Sequence, residues 1–313
     1  MSPRLLKNCG AALFSAQDRF TALTKQPLKP IGTANGGALS TWVSIKSIHA
    51  HREVLALLVR RDLKARYKDS ALGLIWTLIR PLTQLFIYYI VMGKFLGAER
   101  GIPDFAIYVF TGLTVYGLLS EIVSGGTSSI VGNGGLIKKI YLPREVFPLA
   151  SVGSALFNFS IQMCVLIVAL FAVGHPSLHT GLLYFFPALA IIVIFGTAFA
   201  LLLSATNVYL RDVQYLVDVL LLILLWASPI VYSWEMARNI MGDGILLALY
   251  TNNPITLAVL GFQQAFWVGG APDAAFPEDL LMRMGIALVV GIVLLFGFHR
   301  VFARLQGNFA QEL

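Results

Sequence analysis

Charge is what this sequence has least of. Asp, Glu, Lys and Arg make up 12% of its 313 residues, against 57% hydrophobic. A soluble domain carries about 25% charged residues, so these are too few to cover a water-facing surface of this size. Cysteine is nearly missing. Cys9 and Cys164 are the two present, and Cys164 lies inside an apolar run, which excludes a disulfide framework. Cys9 has no apolar run before it, as a lipoprotein signal would require, and reads as an ordinary thiol. The first 40 residues lack a continuous apolar core, so no cleavable signal peptide is expected.

The motifs of chemistry are missing as well. No G-x-x-x-x-G-K-[ST] phosphate loop occurs, and the glycine-rich stretch Gly125 to Gly135 lacks the Lys-Ser/Thr ending. By that route the chain binds no nucleotide. His175 and His179 stand four apart, but without the Glu of a zincin-type helix they make no metal site, and no Cys/His cluster has metal spacing. No acidic pair suited to sugar transfer sits at a membrane face. The net charge of +7 arises from Lys and Arg that flank apolar runs, not from a separate basic domain, which argues against nucleic acid as a partner.

What is present is apolar sequence in blocks of about 20 residues, the length that crosses a hydrocarbon core. Six such blocks are expected as membrane spans: 72–96, 105–130, 147–173, 183–208, 215–232 and 280–302. Residues 1–40 read as a mobile tail, ending in the linker-like Ala34-Asn35-Gly36-Gly37. Over residues 41–71, Val54, Leu55, Leu58, Val59, Leu63 and Tyr67 recur at helical spacing, with Arg60, Arg61, Lys64, Arg66 and Lys68 between them. A solvated charged helix would share that pattern. The span that follows at once favours an amphipathic helix lying along an anionic membrane face, with membrane lipids as its partner. Residues 72–313 are expected to hold the spans. Between the fifth and sixth, the apolar pieces Ile245 to Leu249 and Ile255 to Val268 are each too short to cross and are separated by Asn252-Asn253-Pro254. They read as a re-entrant helical hairpin, with surface helices on the outer face as the alternative. The fold class expected is therefore an all-α integral membrane protein of six transmembrane helices, with an N-terminal interfacial helix and a re-entrant hairpin.

Eighteen Lys and Arg fall in the tail, the amphipathic helix, the loops after spans two and four, and the C-terminus. Four fall on the other side: Lys94, Arg100, Arg238 and Arg283. Both termini are therefore expected in the cytoplasm. Ionisable groups inside spans are costly. Arg80 in the first and Glu121 in the second either face a polar conduit or lie near the interface and snorkel. Tyr88, Tyr116 and Trp226 are among many aromatics that either form an interfacial belt or stack on sugar rings.

Four segments, taken in order, carry a resemblance. The first is Leu58-Val59-Arg60-Arg61-Asp62-Leu63-Lys64-Ala65-Arg66-Tyr67-Lys68, with Leu72-Gly73-Leu74-Ile75-Trp76 and Pro81 after it. The second is Leu136-Ile137-Lys138-Lys139-Ile140-Tyr141-Leu142-Pro143-Arg144-Glu145, then Pro148-Leu149. The third is Tyr209-Leu210-Arg211-Asp212-Val213 with Ser228-Pro229-Ile230-Val231-Tyr232, and the fourth Asn253-Pro254-Ile255-Thr256. Together they resemble the membrane subunits of ABC-type polysaccharide exporters, the permeases for O-antigen, teichoic acid and cell-wall galactan.

The resemblance implies an inner-membrane permease, acting as a homodimer with two separate ATPase subunits that bind ATP-Mg, and moving lipid-linked polysaccharide outward. It implies no cofactor in this chain and no enzymatic step. Leu136, Lys138, Lys139, Tyr141, Pro143, Arg144 and Glu145 would form the coupling segment that docks on the ATPase. Arg60, Arg61, Asp62, Arg66 and Tyr67 of the basic helix would brace it. Arg80, Tyr88, Tyr116, Glu121 and Trp226 would be pore candidates, and Asn253 and Pro254 would shape the exit. One departure stands out: Gln263-Gln264 occupies a position where the family often carries a basic residue. An ABC exporter of drugs or small lipids, and a membrane glycosyltransferase, are the rival classes.

Overall fold

The structure, a computed structural model, describes residues 46, 48, 50–67, 75–95, 97, 102–139, 142–173, 180–267 and 274–313. The tail at 1–40 lies outside the described residues, as do Lys68, Tyr141, His175 and His179. Among the described residues the chain is all-helical.

The helices are α1 (Arg52–Tyr67), α2 (Trp76–Ile87, continued as a wider π-helix over Tyr88–Phe95), α3 (Phe105–Gly132), α4 (Gly134–Ile137) and α5 (Val146–Val173). A 3-10 turn at Thr180–Tyr184 leads into α6 (Phe185–Tyr209). There follow α7 (Val213–Trp226), α8 (Trp234–Met241), α9 (Ile245–Thr251), α10 (Pro254–Phe266), α11 (Leu280–Leu305) and the short α12 (Phe309–Glu312).

α3 is the axis of the bundle. It is apolar on most of its surface and packs against α5, α6, α7 and α10, leaving one narrow polar face. Three of its hydroxyls are absorbed by the helix itself: Thr114 and Thr127 each donate to the carbonyl four residues back at 2.7 Å, and Ser129 to Gly126 at 2.6 Å. That is how a hydroxyl is satisfied where no water reaches. At Gly126 the α3 and α6 backbones approach so closely that a Cβ would lie 2.4 Å from the Ala200 Cβ. A ring cluster of Phe159, Phe185, Phe262 and Phe266, at centroid separations of 5.4–6.0 Å, ties α5, α6 and α10 together, each pair adding about 0.5–1.5 kcal/mol beyond its burial.

Four helical stretches are long and apolar enough to cross a membrane: Phe105–Gly132, Val146–Ala172, Thr180–Tyr209 and Leu280–Asn308. The pair α9 and α10, bent by 66° at Asn252-Asn253, would make a fifth if taken as one span. Two of the six expected spans are shorter. The apolar part of the first is Leu85–Phe95, because Thr77, Arg80, Thr83 and Gln84 interrupt its earlier half. The fifth is Val213–Trp226, 14 residues, or about 21 Å at 1.5 Å per residue against a hydrocarbon core of about 30 Å. It stops there because Pro229 has no N–H to continue the ladder; the last helical bond runs from the Ala227 N–H to Ile223, and Ser228 returns its hydroxyl to Leu224 at 2.9 Å.

Candidate functional site

Two regions hold most of the residues singled out by sequence. The first lies at the C-terminal end of α3. Asn133 ends α3, donates its side-chain amide to the Ser129 carbonyl at 2.8 Å, and leads directly into α4. Arg61 on α1 donates to the Asn133 side-chain oxygen at 2.7 Å and to Asp62 at 2.7 Å. α1 itself is seated on α5. Leu58 is buried, and Val59 fits over Gly153, where a Cβ would fall 2.8 Å from its Cγ2. Arg60 is exposed. Arg66 and Tyr67 belong to α1, but their side chains lie outside the described residues.

Beyond α4 the segment folds back against the C-terminus. Leu136 packs onto, and Ile137 lies within, a buried cluster with Leu58, Val146, Phe147, Phe302 and Phe309. Lys138 and Lys139 point outward, exposed. Pro143 is half-buried, and the Arg144 guanidinium sits 5.5 Å from the centre of the Phe309 ring. Glu145 is turned inward, 4% exposed, with its Oε1 3.8 Å from His299 Nε2 of α11. Tyr209 closes the layer by donating to the Leu305 carbonyl at 2.7 Å. Leu136, Ile137, Arg144 and Glu145 therefore connect to α1, α5 and the C-terminal helices, while Lys138 and Lys139 face outward.

The second region is a seam along α3, α5 and α7. On α3 the half-exposed or exposed positions Gly117, Glu121, Ser124, Gly125 and Ser128 recur at helical spacing on one face. Glu121 accepts from the Asn158 side chain of α5 at 2.6 Å, and Ser151 donates to the Gly125 carbonyl at 3.1 Å. From α7, Gln214 donates to Ser124 at 3.2 Å, and Ser124 donates to Asp218 at 3.4 Å. Above this polar stretch, Tyr116 donates to the Leu221 carbonyl, and the Tyr88 and Trp226 rings meet edge-on at 6.4 Å. Four of the five pore candidates, Tyr88, Tyr116, Glu121 and Trp226, thus lie along this seam. The side chain of Arg80 lies outside the described residues.

At the start of α10, Asn253 accepts from the Ile255 N–H at 3.0 Å and Pro254 occupies the first turn. Both start a helix in the way those residue types do. Residues 53–267, from α1 through α10, match the family model described as ABC-2 type transporter. The chain belongs to the ABC-2 type transporter family.

Relatives extend the match over most of the chain. The O-antigen export system permease protein RfbA of Myxococcus xanthus is 30% identical over 271 residues, 86% of this chain and 98% of that protein. A protein of the same name from Klebsiella pneumoniae is 27% identical over 263 residues, covering 83% and 95%. The capsule polysaccharide export inner-membrane protein CtrC of Neisseria meningitidis serogroup B (strain ATCC BAA-335 / MC58) is 22% identical over 161 residues, covering 51% and 60%. An ABC-2 membrane subunit is part of a transporter and not an enzyme, and it is a multi-pass protein of the inner membrane.

Within this ABC-2 chain, sequence reasoning missed Asp218, with Gln214 and Ser124 beside it. The signal was available: Asp218 is an ionisable residue inside the apolar helix Val213–Trp226, the criterion that selected Glu121. Its carboxylate is exposed on α7 and accepts from Ser124, adding a charge to the polar part of the seam.

Proposed function

We propose that this chain is the permease subunit of an ATP-driven exporter that carries lipid-linked polysaccharide from the cytoplasmic to the outer face of the inner membrane. The observation that carries it is the match to O-antigen export permeases over more than four-fifths of the chain, at 95% or more of their length. Two such chains form the conduit, and two ATPase subunits bind ATP-Mg. The chain crosses the membrane six times with both termini cytoplasmic, α1 lying at the interface and α9–α10 re-entering from outside. The short apolar helices Leu85–Phe95 and Val213–Trp226 then line the conduit beside a partner protomer.

The geometry supports this division of labour. The segment 136–145 sits on the side that the Lys and Arg distribution assigns to the cytoplasm. Its two exposed lysines offer a docking surface, and Arg61, Arg144 and Glu145 tie that surface to α1, α3 and α11. The seam from Ser128 to Trp226 runs from hydroxyls and carboxylates to aromatic rings, the two chemistries that bind sugars, by hydrogen bond and by ring face. Asn253 and Pro254 shape the exit by fixing the α9–α10 bend.

Depletion of the chain, followed by separation of surface glycans from those on the cytoplasmic face, tests the proposal. Lipid-linked polymer should accumulate inside and vanish from the surface. Unchanged glycans on both sides would point instead to export of a small lipid or drug.

A further inference from the structure

We infer that Gln263 and Tyr108 are positioning residues that latch the end of α7 to α10, so that a movement of α7 reaches the outer hairpin instead of being lost at the Ser228-Pro229 break. The inference rests on the proposed transport function and adds a route by which its two ends communicate.

The latch is built on one backbone carbonyl. α7 ends at Trp226, and the Pro229 carbonyl lies beyond its last helical bond. The Gln263 side-chain amide of α10 donates to that carbonyl at 2.7 Å, and the Tyr108 hydroxyl of α3 lies 2.8 Å from it and 2.7 Å from the Tyr232 carbonyl. The hydroxyl has one proton to share between the Pro229 and Tyr232 carbonyls, so the Gln263 amide and the Tyr108 hydroxyl together hold both ends of the turn. Both Gln263 and Tyr108 are 1% exposed. The neighbouring residue is gripped as well, Ile230 being buried against α3 at Gly112. Tyr232 donates to the Trp226 carbonyl at 2.9 Å and Tyr250 meets Tyr232 at 3.3 Å, so the turn is bonded on both sides.

A chain break after a proline is normally where two segments swing independently, since it carries no helical ladder. Here that freedom is removed by buried side chains from two other helices. α7 carries Asp218 and Trp226 of the polar seam, and α10 leads through the Asn252-Asn253 bend into α9, whose Leu249 is exposed. The latch makes these one mechanical body. It also gives Gln263 a role that a basic residue at the same position would not fill in the same way, because the amide donates without bringing a charge into the buried layer.

The test uses Gln263→Met, which keeps length and loses the donor, Tyr108→Phe, which loses only the hydroxyl, and the double variant. Each is made in a chain with Cys9→Ser, Cys164→Ser and Leu249→Cys, assembled with its ATPase in proteoliposomes for hydrolysis and export and in nanodiscs, open on both faces, for labelling. Three quantities are read: ATP hydrolysis, polymer export, and the rate at which a membrane-impermeant maleimide labels position 249 with and without a non-hydrolysable ATP analogue. The latched chain should show a nucleotide-dependent labelling rate. The double variant should keep ATP hydrolysis within twofold, lose that dependence, and export at least tenfold less polymer per ATP. Tyr108→Phe alone should show a smaller loss in the same direction. Nucleotide-dependent labelling that survives in the double variant, or is missing from the latched chain, would overturn the latch. So would a parallel loss of hydrolysis and export, which marks a merely structural role. The labelling readout needs no polysaccharide, so a failure of the proposed cargo and a failure of the latch are told apart.

Discussion

Arg61 and Asn133, 72 residues apart, are joined by a 2.7 Å hydrogen bond that ties the basic helix α1 to the end of the central helix α3. The same guanidinium holds Asp62. The joint sits where the chain turns into the segment that carries Lys138 and Lys139, so it fixes the base on which that segment moves. Arg61→Ala should change unfolding stability by less than about 1 kcal/mol, because the pair is partly solvated. Export per ATP should nonetheless fall severalfold. Arg61→Lys should not restore it, since an ammonium lacks the fork that reaches two acceptors. Thermal unfolding and paired hydrolysis and export assays on the assembled transporter check both statements.

Lys138→Glu with Lys139→Glu should weaken assembly with the ATPase subunit while leaving the chain folded, because both side chains are exposed. The loss should lessen as salt is lowered only if other bases share the contact; co-purification at two ionic strengths reads this directly. Arg144→Ala and Glu145→Ala act differently. Arg144 lies over the Phe309 ring and Glu145 is buried beside His299, so these variants should still assemble and should uncouple hydrolysis from export. Normal export in both would exclude a coupling role for this stretch.

Asp218→Leu removes the acceptor for Ser124 and makes α7 apolar along its length. Polymer export should drop at least fivefold with ATPase assembly intact. Asp218→Asn, which keeps hydrogen-bonding capacity, should lose less. An Asp218→Leu chain that exports normally would show that this face of α7 meets no cargo.

Gly126→Val should cost about 2 kcal/mol or more, as overpacking in a tight core does, because even a Cβ would lie 2.4 Å from the Ala200 Cβ. Gly126→Ala paired with Ala200→Gly should recover most of the stability lost in Gly126→Ala alone. Unfolding midpoints of the purified chain measure the exchange.

Sequence made the long apolar helices plain, since the period and length that define α3, α5, α6 and α11 are local properties. It also put a break at Asn252-Asn253-Pro254 between two short apolar pieces and the lysines of 138–139 in the loop after the second span. It was less informative where a helix ends for reasons outside its own residues. Ser228-Pro229 stops α7, and Tyr108 and Gln263, 155 residues apart, decide how that stop is held. Gln263 drew attention in the sequence only for the charge it lacks. Its donor role depends on a carbonyl 34 residues away, which no local pattern encodes. Asp218 was legible as an ionisable residue inside an apolar run.

The most direct test of transport is reconstitution of this chain with its ATPase in proteoliposomes that carry lipid-linked polymer on the outer leaflet, in the orientation that exposes the ATPase to added ATP. The account predicts ATP-dependent transfer of the polymer to the lumen, where it is protected from an added glycosidase. It also predicts that transfer is abolished by a Walker-motif variant of the ATPase. Polymer that stays accessible to the enzyme, with ATP hydrolysis intact, would contradict polysaccharide export by this protein.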